Sequence, residues 1–101
     1  MHCVTVVYAN KPEAKFDFDY YLAKHIPMVE GFFGTRIEVE KGVSSPLGEG
    51  LPFVCIARIF INSLEHFRTT MEQFGPRIFE DIANYTNIAP KVQISELVRG
   101  R

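Results

Sequence analysis

The chain has 101 residues, of which 47% are apolar and 13% aromatic. That is enough bulk for one hydrophobic core, and it excludes a disordered chain. Eleven Lys and Arg against twelve Asp and Glu give a formal net charge of -1, without the basic face that non-specific nucleic-acid binding needs.

No apolar run is long enough to span a membrane, and Met1-His2-Cys3 leads straight into strand-like sequence without a signal peptide. The expectation is a cytoplasmic protein with one domain over residues 1–101. Cys3 and Cys55 are far apart, each within an apolar strand pattern, and read as small buried hydrophobes in a reducing compartment rather than as a disulfide or metal pair.

Cys3 to Ala9 (CVTVVYA) is short and β-branched, a strand by composition. Asn10-Lys11-Pro12 breaks it. A helix then runs from about Asp17 to Phe33, with Asp17 or Asp19 at its positive end and Gly34 as the C-terminal cap. Pro27 falls inside it and predicts a kink or a restart. Arg36 to Lys41 (RIEVEK) alternates strictly and reads as a strand with one wet face at or near a sheet edge. Gly42 to Pro52 gathers Gly, Ser and Pro into a loop. Phe53 to Ile61 (FVCIARIFI) is apolar on both faces, as a central strand would be. Ser63 is the expected N-cap of a second helix, with Glu65 in its first turn. Its core stripe is Leu64, Phe67, Met71, Phe74, Ile78 and Ile82. Gly75-Pro76 is expected to interrupt it, Asn84 to Asn87 to end it, and Val92 to Val98 to form the last strand. The order is βαββαβ, an α+β ferredoxin-like split with both helices on one face of a four-stranded antiparallel sheet.

In that arrangement the second sheet face would meet water. The first and third strands do not suit it, since both are apolar on both sides, and the chain has no element left to cover them. A second copy of the sheet is the economical cover, which predicts a homodimer.

Tyr21 and His25 stand four residues apart and share one helix face. A neutral imidazole near its ordinary pKa can take or give a proton at cytosolic pH, and Tyr21 could orient it or a substrate oxygen. The competing reading is structural. Pro27 frees the carbonyl of Ala23, and His25 could bond it and simply fix the bend. Arg58, alone in an apolar strand, either pairs with Glu38 or Glu40 on the neighbouring strand or faces a cavity and binds an anionic ligand. Among Asn84 to Asn87 capping is the ordinary role, with Tyr85 the residue that could reach a pocket mouth. His66 reads as a solvated surface histidine. No CxxC or other metal-ligand spacing is present. No Gly-rich turn follows a strand to cradle a phosphate, and the third strand lacks the RNA-binding pattern of ferredoxin-like domains.

Asp17, Tyr21, His25 and Pro27 (D-x-x-x-Y-x-x-x-H-x-P), then Gly75-Pro76 and the NYTN-x-x-P-x-x-Q run from Asn84 to Gln93, resemble the EthD family of dimeric α+β barrel proteins over nearly the whole chain. The resemblance implies the ferredoxin-like fold and the dimeric barrel. Members of that family are named for bacterial degradation of ethyl tert-butyl ether alongside a cytochrome oxygenase system. Fungal relatives act as dehydratases or decarboxylases on polyketides, and the wider superfamily includes cofactor-free monooxygenases, isomerases and cyclases. Tyr21 and His25 are the residues that carry over as a candidate site.

The combined expectation is a homodimer with an apolar helix–sheet pocket for a small hydrophobic or aromatic oxygenated ligand. His25 and Tyr21 would be its catalytic residues, with Arg58 and Tyr85 as ligand-binding candidates and no metal or organic cofactor. The alternative is a non-catalytic binding or accessory protein that supports a partner oxygenase.

Overall fold

The computed structural model describes residues 1–100. Strand β1 (His2–Ala9) is followed by a helical run in three parts: α1 (Phe18–Tyr20), a π-helical turn (Tyr21–His25) and α2 (Ile26–Phe33). Strands β2 (Ile37–Lys41) and β3 (Phe53–Ile61) come next, then α3 (Leu64–Asp81), a 3-10 turn (Ile82–Asn84) and β4 (Lys91–Glu96). The strands form one antiparallel sheet in the order β2-β3-β1-β4. This is the βαββαβ, α+β arrangement read from the sequence. Among the described residues no helix is long and apolar enough to cross a membrane.

Register sorts the sheet into two faces. Val4 pairs with Ile59, Val6 with Ala57 and Tyr8 with Cys55, and directly opposed residues share a face. That face packs under the helices, and Val4, Tyr8, Cys55, Ala57 and Ile59 are buried there with Ile26, Val29 and Phe33 of α2. The other face carries Thr5, Val7, Ile56, Arg58 and Phe60, all half-buried. Cys3 and Cys55 are free and buried, as expected of small core residues.

The caps fall where side-chain chemistry puts them. The Asp17 carboxylate accepts from the Tyr20 N–H at 3.1 Å, and Ser63 Oγ from the His66 N–H at 3.1 Å, each satisfying a helix-start donor. Gly34 takes the left-handed conformation at φ 68° that ends α2, its N–H reaching the Glu30 carbonyl at 2.8 Å.

Five expectations need correction. Pro27 restarts the α-helix in the first turn of α2, one of its two readings, but it does not leave His25 on the Ala23 carbonyl. The chain instead widens one turn, with the Ile26 N–H bonding the Tyr21 carbonyl, five residues back as in a π turn. Gly75-Pro76 does not interrupt the second helix, which runs through Pro76 unbroken. A proline crowds the Cβ of the residue before it, and Gly75 has none. Leu64, assigned to the core stripe, is 53% exposed at the first position of the helix. His66 is half-buried, its ring edge-on to Phe33 at 5.9 Å. The last strand also stops at Glu96, which pairs with His2 at the start of β1, although the Leu97 N–H still reaches the Met1 carbonyl at 2.9 Å.

Candidate active site

Helices and sheet line a partly open cavity of about 320 Å³. Its floor is Val4, Val6, Ala57 and Ile59 on β1 and β3, and its roof is α2 and α3, with Phe33, Phe67 and Met71. Polar side chains enter the lining at one corner, where Tyr8, Tyr21 and His25 meet. The volume lies at the lower end of small-ligand pockets, which span about 300–1,000 Å³.

The widened turn builds that corner. Tyr21 and His25 both point inward from it and are 1% and 4% exposed. Their rings stack at 5.5 Å between centroids, tilted by 14°. Tyr85 comes from the far end of the chain and is held by its backbone. The Asp17 N–H donates to the Tyr85 carbonyl at 2.8 Å, and Thr86 Oγ1 donates to the Lys15 carbonyl at 2.6 Å. Asn87 adds a clamp, accepting from the Lys15 N–H at 2.9 Å and donating to the Glu13 carbonyl at 3.0 Å. The NYTN run therefore ties the chain's last quarter to the entry of the first helix and sets the Tyr85 ring 4.7 Å from that of His25.

A chain of hydrogen bonds crosses this corner. The hydroxyls of Tyr8 and Tyr85 lie 2.6 Å apart, and that of Tyr85 is 3.4 Å from His25 Nε2. His25 Nδ1 meets Asp81 Oδ2 at 2.9 Å. Asp81 Oδ1 accepts from the Tyr20 hydroxyl at 2.6 Å and from Asn84 Nδ2 at 2.9 Å.

Asp81 ends α3, where the helix dipole disfavours a negative charge by about 0.3–1 kcal/mol. Hydrogen bonds to a charged group contribute about 1.5–3 kcal/mol each, so its three donors outweigh the dipole. Burial works against the ionised carboxyl, yet Tyr20, Asn84 and His25 together hold it below the ordinary carboxylate value. Burial pushes the His25 imidazole below its ordinary value, with Asp81 pulling the other way. The resting pair is a neutral imidazole beside a carboxylate. The carboxylate has no proton to give, so Nδ1 carries the hydrogen and Nε2 presents a lone pair.

Burial raises the pKa of the phenols of Tyr8, Tyr21 and Tyr85, keeping all three protonated. Burial also pushes the Cys55 thiol up to about 12, so it is no thiolate nucleophile. Chemically the corner holds one base and several O–H donors at the end of an apolar chamber. Among the described residues no group of three or more His, Cys, Asp or Glu side chains could hold a metal ion.

The structure thus brings Tyr21, His25 and Tyr85 together. Tyr85 is buried behind the corner, 3% exposed, rather than at the cavity mouth. Arg58 is not brought there. It lies on the opposite face of the sheet and pairs with Glu40 at 2.6 Å, the neighbouring-strand pairing that was one of its two readings. Sequence reasoning missed Asp81, Tyr8 and Tyr20. A signal for Asp81 was present, namely a carboxylate at the disfavoured end of a helix.

These features define a ferredoxin-like α+β protein with a partly open apolar cavity and an imidazole–carboxylate pair at one end. No family model matches the chain, and no curated protein sequence does. Two solved structures are similar to it. An EthD-like protein from Ralstonia eutropha is 39% identical, with a TM-score of 0.91 over 99% of this chain and 94% of that one. An ethyl tert-butyl ether D (EthD) family protein from Bacillus halodurans is 21% identical, with a TM-score of 0.66 over 95% of this chain and 97% of that one, a likeness in fold alone. By the first of these relationships the chain belongs to the EthD-like family.

Proposed function

We propose that this protein is a small-molecule enzyme of monooxygenase, isomerase, lyase or dehydratase type that moves a proton on a hydrophobic or aromatic oxygenated compound. His25 Nε2 is the acid or base, and Tyr21 positions the ligand's oxygen. The observation that carries the reading is the single polar corner of an otherwise apolar cavity, with a neutral imidazole in its wall. The low dielectric of such a chamber strengthens interactions made with developing charge. The Tyr85 contact to Nε2, at 3.4 Å, is long enough for a ligand group to replace it.

The working form is a homodimer. Both central strands are apolar on both faces, and a second sheet laid against Val7, Ile56 and Phe60 would cover the side that the helices leave open.

Proton abstraction can be tested before the natural substrate is identified. Acetophenone and 1-tetralone are incubated with the protein in D2O, and loss of the proton signal next to the carbonyl is followed by NMR. Exchange should be faster with the wild type than with His25→Ala by about 10²–10⁴-fold. Ketones that bind but exchange no faster than with the variant would sink the enzymatic reading. The same Tyr85 contact favours a second reading in that case, since it occupies the lone pair. The protein would then hold its ligand unchanged, as a binding or accessory partner of an oxygenase.

A further inference from the structure

We infer that Asp81 is a positioning residue, held in place by Tyr20 and Asn84, which fixes the tautomer of His25 and so decides whether Nε2 presents a lone pair or a hydrogen.

The Asp81 carboxylate meets three donors: the Tyr20 hydroxyl and the Asn84 amide on Oδ1, and His25 Nδ1 on Oδ2. With two donors, Oδ1 is pinned, and Oδ2 is left aimed at the imidazole. His25 sits in the wall of the apolar cavity, whereas Asp81 belongs to a separate outer recess with Met28, Arg77, Glu80 and Asn84. The imidazole–carboxylate pair therefore spans the wall between the apolar chamber and a polar surface. A proton taken by Nε2 makes the ring a cation, and the carboxylate behind it balances that charge. Returning the proton from Nε2 restores the neutral ring. Without the carboxylate both tautomers are open to the ring, and in the Nε2–H form the lone pair points away from the corner.

Asp81→Asn makes the inference measurable. An amide offers one oxygen and one NH2 group. Two donors compete for the oxygen at the Oδ1 position, so the NH2 is left facing Nδ1, which must then accept. The ring turns over to the Nε2–H tautomer without losing its place. Long-range proton–nitrogen NMR of ¹⁵N-labelled protein at about pH 8 distinguishes the two forms directly. Wild type should show protonated Nδ1 and bare Nε2, and Asp81→Asn the reverse. Tyr20→Phe leaves Asn84 on Oδ1 and should keep the wild-type pattern.

A wild-type spectrum with protonated Nε2 overturns the inference even if the Asn variant fails to fold. An Asn variant that keeps protonated Nδ1 overturns it as well. The catalytic consequence rests on the acid–base reading above. Where deuterium exchange is seen, Asp81→Asn should cut its rate at least about 10²-fold, with the ketone KM unchanged. In the Ser-His-Asp template the same substitution costs about 10⁴ through the wrong tautomer. A reversed tautomer with no exchange by the wild type would sink the acid–base reading and leave the positioning role standing.

Discussion

Replacing Ala57 by Leu tests whether the helix–sheet cavity is a true void. Ala57 is 2% exposed on β3 and forms part of the cavity floor, so a longer side chain there grows into the chamber and not into neighbouring atoms. Leu adds three methylene-sized groups, each contributing about 0.8 kcal/mol when buried. The gross gain is about 2.4 kcal/mol. Ordering the new side chain costs about 0.5–1 kcal/mol, which leaves roughly 1.5 kcal/mol of added stability. For a domain of this size each kcal/mol raises Tm by about 4–8 °C, so the expected rise is about 6–12 °C, with a matching shift in the urea midpoint at unchanged slope. The same variant should lose affinity for 1-tetralone, because the added volume comes out of the ligand's space. A lower Tm would refute the reasoning. It would mean that the protein's own aromatics already fill the chamber and that Leu overpacks a closed core.

Three further outcomes follow from described contacts. Burial holds folded His25 below its ordinary 6.5, with Asp81, Tyr21 and Tyr85 around it, so below that pH the unfolded chain takes up a proton that the folded chain refuses. The stability from this group is complete above about 6.5 and is lost as pH falls towards the lower folded value. Asp81, held below its ordinary 3.8, adds a second loss as pH falls through its own folded value. Urea midpoints measured from pH 8 down to 3 should show both steps and His25→Gln should lack the upper one. A flat wild-type profile between pH 7 and 5 would contradict a neutral buried imidazole. Gly42→Ala places a Cβ 2.3 Å from the Phe53 carbonyl oxygen, so the loop must shift, at a cost of about 1–3 kcal/mol by urea denaturation. An unchanged midpoint there would show that the loop end gives way freely. Sedimentation at micromolar concentration should report twice 11.5 kDa, and a monodisperse monomer would remove the case for the homodimer.

Much of the architecture was legible in the sequence because it is encoded locally. Caps at Asp17, Ser63 and Gly34 depend on the chemistry of one residue against its own backbone, and strand alternation depends on the pleat. Tyr21 and His25 stood out because four-residue spacing needs no tertiary knowledge. Asp81 did not, since it lies 56 positions from its histidine and meets it only through helix packing. Arg58 was ambiguous for a different reason. Its strand is apolar on both faces, so parity alone could not say which face would receive the helices. Pro76 was misread because helix-breaking rules describe an isolated helix. In this fold a widened turn absorbs Pro27, and Gly75, having no Cβ, leaves room ahead of Pro76.

The widened turn also sets the counting of the helix that carries the site. Four of its inward residues, Tyr21, His25, Val29 and Phe33, recur at strict intervals of four, with Ile26 buried beside them. At 3.6 residues per turn each interval overshoots a full circle by about 40°, or about 120° over the three steps. A uniform helix would swing one end of that series off the sheet. The π turn takes up part of the excess where it begins, so the chemical half of the series and its packing half can face the same wall. The spare residue thus works as a register key. Deleting one of Leu22, Ala23 or Lys24, all exposed and individually unremarkable, would remove no inward side chain, yet it would turn the Tyr21 end of the helix by about 100° relative to the His25 end.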